Sequence, residues 1–419
     1  MKILIFEAYS DANIGSASLI ENSINLIKQK YPNAKIELLA QNVESVKTFS
    51  GYNSYEELFS FPFSQHRIKQ LFWVVKSFLW MIIHLMIRTL QLPIPEKFYT
   101  YNHSKLVAIE KIKKADICIS IGAERINDNF VLVLPFCLYT MWVITNYKKR
   151  IILFPQTIGP FHYNITKKLS AYIIKRCNYI FLRDYKSVSI VKNLGIKFDN
   201  FSFMPDVAIL QKAIDQKRIN QILEMENINY ENRAIVGISV MEWSYFKAPL
   251  HSTGYEGYKD AVSQITDYLI EELGYYVIYV PTNVKIHGCR EDDIKATHDI
   301  YQLIRNKGDV AIVENLYRPS EIMGLFKIMD FLLVTRMHAC ILATSAYVPT
   351  CSINYQFKLF EYMKLLGLDK NTVDIHEVNF ESLKNIIDYT YINRNDIQQK
   401  LKKKISELKS KFEILKDTI

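Results

Sequence analysis

Phe331-Leu332-Leu333-Val334-Thr335-Arg336-Met337-His338 is an apolar strand run that ends in an arginine and a histidine, and Ala339 to Ala346 after it has the pattern of a helix. Where a buried parallel strand gives way to a helix, its carboxyl end faces the crevice in which open α/β sheets bind ligands. Arg336 offers a planar fork to a carboxylate or phosphate, and His338 can give or take a proton near neutral pH. Together they point to chemistry on an anionic substrate. The plainer alternative is an ion pair that ties Arg336 to a neighbouring carboxylate at the sheet edge.

The elements that must position these residues alternate between β and α. Ile3 to Phe6 reads as a strand, followed by a loop through Asn13-Ile14-Gly15-Ser16 that opens a helix with Leu19, Ile20, Ile24 and Ile27 on one face. Further strands are expected at Lys35 to Ala40, Ile117 to Ile121 ending at Gly122, Ile151 to Phe154 ending in Pro155-Gln156-Thr157-Ile158-Gly159-Pro160, and Tyr179 to Leu182 ending in Arg183-Asp184. After Pro205-Asp206 a second series begins, with strands at Ala234 to Val240, Tyr276 to Pro281, Val310 to Val313, Phe331 to Val334 and Pro349 to Asn354. This order predicts an α/β protein of two doubly wound, Rossmann-like domains facing a cleft, as in GT-B architectures, over 1–204 and 205–419. The tail repeats Ile397, Leu401, Ile405, Leu408, Phe412 and Leu415 at spacings of 3 and 4, an amphipathic helix packed on the body.

The composition restricts the classes open to such a fold. At 419 residues the chain exceeds what one core usually supports, and 52 Lys and Arg against 43 Asp and Glu leave a net charge of +9. That excess suits anionic small molecules or an anionic membrane surface, whereas no zinc-finger spacing or RNA-binding signature supports a nucleic-acid partner. Six cysteines without C-x-x-C spacing read as buried free thiols in a reducing compartment. Lys2 to Phe6 is too short for the core of a signal peptide, which suits a cytoplasmic location. Glu291-Asp292-Asp293 invites a metal reading, but charge at a helix start is explained by the helix dipole, and no metal is expected.

An apolar insertion over about 60–110 interrupts the first series, with Leu71 to Leu92 as its membrane candidate. Only 11 uncharged residues separate Lys76 from Arg88, short of the ~20 that span a bilayer. On a helix, Lys69, Gln70, Lys76, Ser77, His84, Arg88 and Gln91 share an arc of about 120°, and the rest is apolar apart from Thr89. A wholly buried helix needs no such stripe. The pattern therefore suits peripheral contact with the inner face of the cytoplasmic membrane, through Trp73, Phe78 and Trp80, with a core or inter-domain helix as the alternative.

Taken in order, Asn13-Ile14-Gly15, Pro155-Gln156-Thr157-Ile158-Gly159-Pro160, Leu182-Arg183-Asp184 with Ser187, Pro205-Asp206, Arg318-Pro319-Ser320-Glu321-Ile322, Arg336-Met337-His338, Pro349 and Lys358 resemble the polysaccharide pyruvyl transferase family over nearly the whole chain. Two positions depart from the family pattern. Ser16 stands where an acidic residue often follows the glycine, and Gly122-Ala123-Glu124-Arg125 replaces a turn richer in glycine.

The resemblance implies transfer of a pyruvyl unit from phosphoenolpyruvate to two hydroxyls of one sugar, forming a cyclic ketal and releasing phosphate. It assigns Arg183 and Arg336 to the donor's carboxylate and phosphate, and His338 to general acid catalysis. Asp128 and Asp206 are candidate bases on a sugar hydroxyl, with helix capping as the alternative for Asp206. Asn13, Gly15 and Gln156 suit sugar binding, and Lys358 the donor phosphate. The implied partners are phosphoenolpyruvate and a sugar acceptor, lipid-linked if the protein works at the membrane, with no cofactor. Two rival classes fit the same residues: a glycosyltransferase using a nucleotide sugar, and a non-catalytic member of a polysaccharide assembly complex.

Overall fold

Runs of Ile, Leu, Val and Phe bounded by polar or glycine-containing turns bury both faces of each strand, the pattern of parallel sheets covered by helices. The computed structural model describes residues 1–419 except 11, 63–64, 123, 232, 243–253, 285–291 and 416–419, and except the side chains at 48, 49 and 198. Among the described residues, β1 (Lys2–Ala8), β2 (Lys35–Ala40), β3 (Ser54–Glu56), β4 (Ile117–Ser120), β5 (Arg150–Gln156), β6 (Tyr179–Leu182) and β7 (Phe201–Phe203) form one sheet. Its order is β3-β2-β1-β4-β5-β6-β7, with every pair parallel. The second sheet holds β8 (Ile235–Ser239), β9 (Tyr276–Tyr279), β10 (Val310–Ile312), β11 (Phe331–Val334), β12 (Thr350–Asn354) and β13 (Thr372–Asp374). These are again all parallel, in the order β10-β9-β8-β11-β12-β13.

The chain divides into two compact units, Met1–Asp11 with Leu19–Asp206 and Phe412–Ile419, and Ala12–Ser18 with Val207–Lys411. The main division falls after Asp206, two residues past the position expected from sequence. Residues Ala12–Ser18, expected with the first domain, group with the second, because Asn13 bridges to Asn283 and Ile14 N donates to Thr282 O at 2.9 Å. In the tail helix Arg394–Ser410 the residues Ile397, Leu401, Ile405 and Leu408 are buried, as their spacing predicts. The five described cysteines are free and buried, while Cys289 lies outside the described residues.

Each unit has its own apolar core. In the first, Leu4, Phe6, Cys118, Leu153 and Leu182 from the strands pack with Ile112, Met141 and Ile144 from the covering helices. One side chain in this core is a lysine. Lys105 is buried, donates to Leu58 O at 2.6 Å, and holds its ammonium 3.9 Å from the centre of the Phe59 ring. Burial pushes its pKa down from 10.5 to about 7.

Between those two values the unfolded chain carries a proton at Lys105 that the folded chain has largely lost. A state that binds more protons when unfolded becomes more stable as pH rises. Lys105 is therefore expected to contribute a rise in stability from pH 7 toward 10.5, with a slope of at most about 1.4 kcal/mol per pH unit. Urea unfolding of the parent and of Lys105→Met across that window measures the difference, since other groups titrate in both. Parallel pH profiles would show that Lys105 stays protonated in the fold.

Candidate active site

The order of the second sheet reverses between β8 and β11, and the carboxyl ends at such a reversal are where open α/β sheets take ligands. Val334 lies opposite Ser239 in the register, and Thr335 N donates to Ser239 O at 2.8 Å, so the two strands deliver their following residues side by side. The Tyr258 hydroxyl braces both exits. It lies 2.9 Å from Thr335 Oγ1 and accepts from Met241 N at 3.4 Å.

Arg336 comes next, as the N-cap residue of the helix Met337–Ser345. Its Nε and Nη2 donate to the two carboxylate oxygens of Asp293 at 3.1 and 2.6 Å. The Asp293 side chain has no exposed surface, that of Arg336 is 12% exposed, and Asp293 N is fixed to Asn283 O at 2.8 Å. A buried carboxylate gripped by both arms of a guanidinium sets the plane of the fork. The acidic triplet read from sequence as helix-dipole charge thus has two jobs: Asp292 caps the helix Asp293–Leu303 through Ile294 N at 3.2 Å, and Asp293 orients Arg336. Glu291 lies outside the described residues.

His338 is half-buried in the first turn of the same helix, and its ring lies against Gly15. A Cβ on Gly15 would overlap the His338 ring at Nδ1, so a side chain there would have to push the imidazole aside. Asn13 caps the helix Ile14–Lys30, its Oδ1 accepting from Ser16 N at 3.1 Å. Asn13, Gly15, Arg336 and His338 therefore belong to one corner of the second unit, where two helices begin. Helix N-termini carry partial positive charge and unpaired N–H groups, which favours an anion. Lys358 is half-buried in the first turn of the helix Phe357–Leu366, after the neighbouring strand β12, with its ammonium 5.7 Å from the Tyr355 ring centre.

The remaining candidates lie in the first unit and are held more tightly than the sequence suggests. Arg183 and Asp206 form a buried ion pair, Nη1 to Oδ2 at 2.6 Å, and Arg183 Nε donates to Thr157 Oγ1 at 2.8 Å. Asp206 is thus buried against Arg183, immediately ahead of the short helix Val207–Leu210. Asp184 caps the helix Tyr185–Asn193 through Ser187 N, and Ser187 Oγ accepts from Ile158 N at 2.9 Å, which explains the Leu182-Arg183-Asp184…Ser187 spacing as a brace on the 155–160 turn. Asp128 accepts from the backbone N–H of His162 and from that of Tyr163, the latter at 2.9 Å. Burial raises the Asp128 carboxyl, but hydrogen bonds from Thr166, Tyr163 and His162 outweigh it and hold the pKa below the ordinary value.

Gln156 is fully buried and donates to Ser120 Oγ at 2.6 Å. Ser120 Oγ in turn donates to Glu7, which also accepts from Cys137 Sγ at 2.8 Å. Sequence reasoning passed over Glu7. It sits at the end of β1, beside β4 where the first sheet reverses, buried and with φ of 67°, a left-handed value that is uncommon outside glycine. The available signal was one carboxylate at the end of an otherwise apolar strand.

The Arg183–Asp206 pair yields a stability prediction. Asp206→Ala leaves a buried guanidinium without its counter-charge and is expected to cost about 3 to 5 kcal/mol, read by urea unfolding. A loss below about 1 kcal/mol would mean that the pair is solvated in solution.

Comparisons with known proteins bear on the fold and the family. A relative, the amylovoran biosynthesis protein AmsJ of Erwinia amylovora, is 23% identical over 300 residues, 71% of each chain. Among solved structures, the MnaA–UDP complex of S. aureus superposes with a TM-score of 0.58 at 11% identity, covering 96% of this chain and 90% of that one. Anabaena Alr3699/HepE in complex with UDP-glucose gives 0.57 at 13% identity, covering 98% and 95%. The UDP-GlcNAc 2-epimerase of Methanocaldococcus jannaschii gives 0.56 at 14%, covering 93% and 92%. These likenesses show the fold, two parallel-sheet domains of the GT-B kind. The family model for polysaccharide pyruvyl transferase matches residues 13–356, a stretch that runs from Asn13 through Gln156, Arg183 and His338 and stops just short of Lys358, and the chain therefore belongs to the polysaccharide pyruvyl transferase family.

Proposed function

We propose that the protein transfers the pyruvyl unit of phosphoenolpyruvate to two hydroxyls of one sugar in a polysaccharide precursor, giving a cyclic ketal and inorganic phosphate. The observation that carries this reading is the corner of the second unit where Asp293 holds the Arg336 fork and His338 lies against Gly15. In this reading the donor anion is met by the Arg336 guanidinium and the two helix N-termini, and Lys358 adds charge on the phosphate side. Arg183, neutralised by Asp206, acts in the first unit by keeping the 155–160 turn in place. No metal or cofactor is required.

The reaction balances as follows. A proton delivered to the methylene carbon makes it a methyl group and leaves positive charge on the carbon bearing the phosphate oxygen. One sugar hydroxyl adds there and releases its proton. The second hydroxyl then displaces phosphate from the same carbon, closing the ketal ring. In this reading His338 delivers the first proton or protonates the leaving phosphate.

The solved neighbours bound to UDP and UDP-glucose suggest a second reading, sugar transfer from a nucleotide sugar, on the strength of fold alone. Titration of phosphoenolpyruvate and of UDP-glucose separates the two. Arg336→Lys keeps the charge against Asp293 but loses the fork, and it is expected to weaken phosphoenolpyruvate binding by about 2 to 4 kcal/mol. His338→Ala is expected to bind the donor almost as the parent does and to turn over about 10²-fold more slowly. Parental turnover in His338→Ala, or binding of UDP-glucose with no binding of phosphoenolpyruvate, would reject the proposal.

A further inference from the structure

The helix Arg67–Thr89 is turned the opposite way from an ordinary surface helix. Much of its polar stripe faces the body of the first unit. Ser77 is buried, His84 Nδ1 lies 2.9 Å from the Tyr139 hydroxyl, and Arg88 Nε donates to Asn146 Oδ1 at 3.0 Å. Trp80, between them, is buried, donates to Thr100 Oγ1 at 3.0 Å and stacks on His84. Of the three aromatics that the sequence assigns to a membrane contact, Trp80 is therefore core, Trp73 packs edge-on against Phe61 and Phe136, and only Phe78 is exposed.

What faces outward is apolar. Ile68, Phe72, Val75, Leu79, Ile82, Met86 and Leu90 recur at spacings of 3 and 4, and Phe72, Leu79, Ile82 and Met86 are each more than half exposed. Leu92, Ile94 and Phe98 continue the face beyond the helix, with Phe98 at 72% exposure. A stripe this long, on a 23-residue helix of about 34 Å, is far beyond the scattered apolar residues of ordinary surfaces.

The charges beside the stripe have one sign. Arg67, Lys69, Lys76 and Lys97 are exposed, and Glu96 is the one acidic residue between Leu58 and Ile109. Glu96 is occupied by Lys113 Nζ at 2.5 Å and the Tyr147 hydroxyl at 2.6 Å. An apolar face flanked by cations matches the surface of an anionic bilayer. A second copy of the chain fits less well, because a two-fold contact through this face would bring its own lysines together. The helix is long and apolar enough to cross a membrane by length and composition, but crossing would break the His84, Arg88 and Trp80 contacts that hold it to the body.

We infer that this face docks the protein in the plane of an anionic phospholipid surface, with the apolar stripe among the acyl chains and the four cations at the headgroups. If the proposed reaction also holds, a docked enzyme suits a lipid-linked sugar acceptor, but the docking itself does not depend on that reading.

The test is flotation of the intact protein with vesicles of equal parts phosphatidylglycerol and phosphatidylcholine, and with phosphatidylcholine alone. The parent is expected to float with the anionic vesicles, to leave them in alkaline carbonate, and to bind the neutral vesicles at least about tenfold less. A combined Phe72→Gln, Leu79→Gln, Ile82→Gln and Met86→Gln variant should lose at least about tenfold in binding with its unfolding curve unchanged, since all four side chains are exposed. Lys69→Glu with Lys76→Glu, a second variant that leaves the apolar face intact, should lose binding to the anionic vesicles alone. Failure of the parent to float, retention of binding by the glutamine variant, resistance of the parent to carbonate, or a parent dimer that the glutamine variant breaks would each overturn the inference.

Discussion

Arg336 grips both oxygens of the buried Asp293 side chain and supplies the counter-charge that a buried carboxylate requires. That requirement fixes the start of the helix Asp293–Leu303 relative to the exit of β11, and with it the helix Met337–Ser345 on which His338 sits. Asn283, whose carbonyl holds Asp293 N, also bridges to Asn13, so the first turn of the helix Ile14–Lys30 is tied to the same point. Gly15 leaves room for the His338 ring, which a Cβ there would overlap. One ion pair thus sets the relative positions of a guanidinium, an imidazole and two helix N-termini.

The first unit uses its buried charge differently. Arg183 is spent on Asp206, and Arg125 on Glu57, whose carboxyl burial nevertheless pushes up to about 7. Asp128 Oδ2 holds two loop amides. These groups stiffen the turns at the carboxyl ends of the strands and leave Glu7, with Ser120, Gln156 and Cys137 around it, as the polar cluster at the reversal of the sheet. The second unit instead sets its ion pair, Arg336 with Asp293, beside the starts of two helices.

The sequence carried the long elements well. The strands at Lys35–Ala40, Tyr179–Leu182 and Phe331–Val334 and the helix Phe357–Leu366 have the bounds that periodicity predicts, because apolar runs closed by polar turns leave little freedom. The short edge strands Ser54–Glu56, Phe201–Phe203 and Thr372–Asp374 were not legible, since three residues show no period and, unlike Val310–Ile312, none is wholly apolar. Arg336 and His338 could be read from their place after a strand, but Asp293, their organiser, lies 43 residues from Arg336 and looked like helix-start charge. The helix Arg67–Thr89 shows a different limit. Its polar stripe is plain in the sequence, yet the direction the stripe faces depends on Tyr139 and Asn146, which no local pattern supplies.

The central claim is that this site consumes phosphoenolpyruvate to build a ketal on a sugar. The most direct measurement incubates the protein with phosphoenolpyruvate and candidate sugar acceptors, then follows inorganic phosphate by colorimetry and acceptor mass by mass spectrometry. The account predicts equal amounts of phosphate and of acceptor heavier by one acid-labile pyruvyl unit, without added nucleotide sugar. Acceptor that gains a whole sugar residue from a nucleotide sugar while phosphoenolpyruvate stays intact would contradict it.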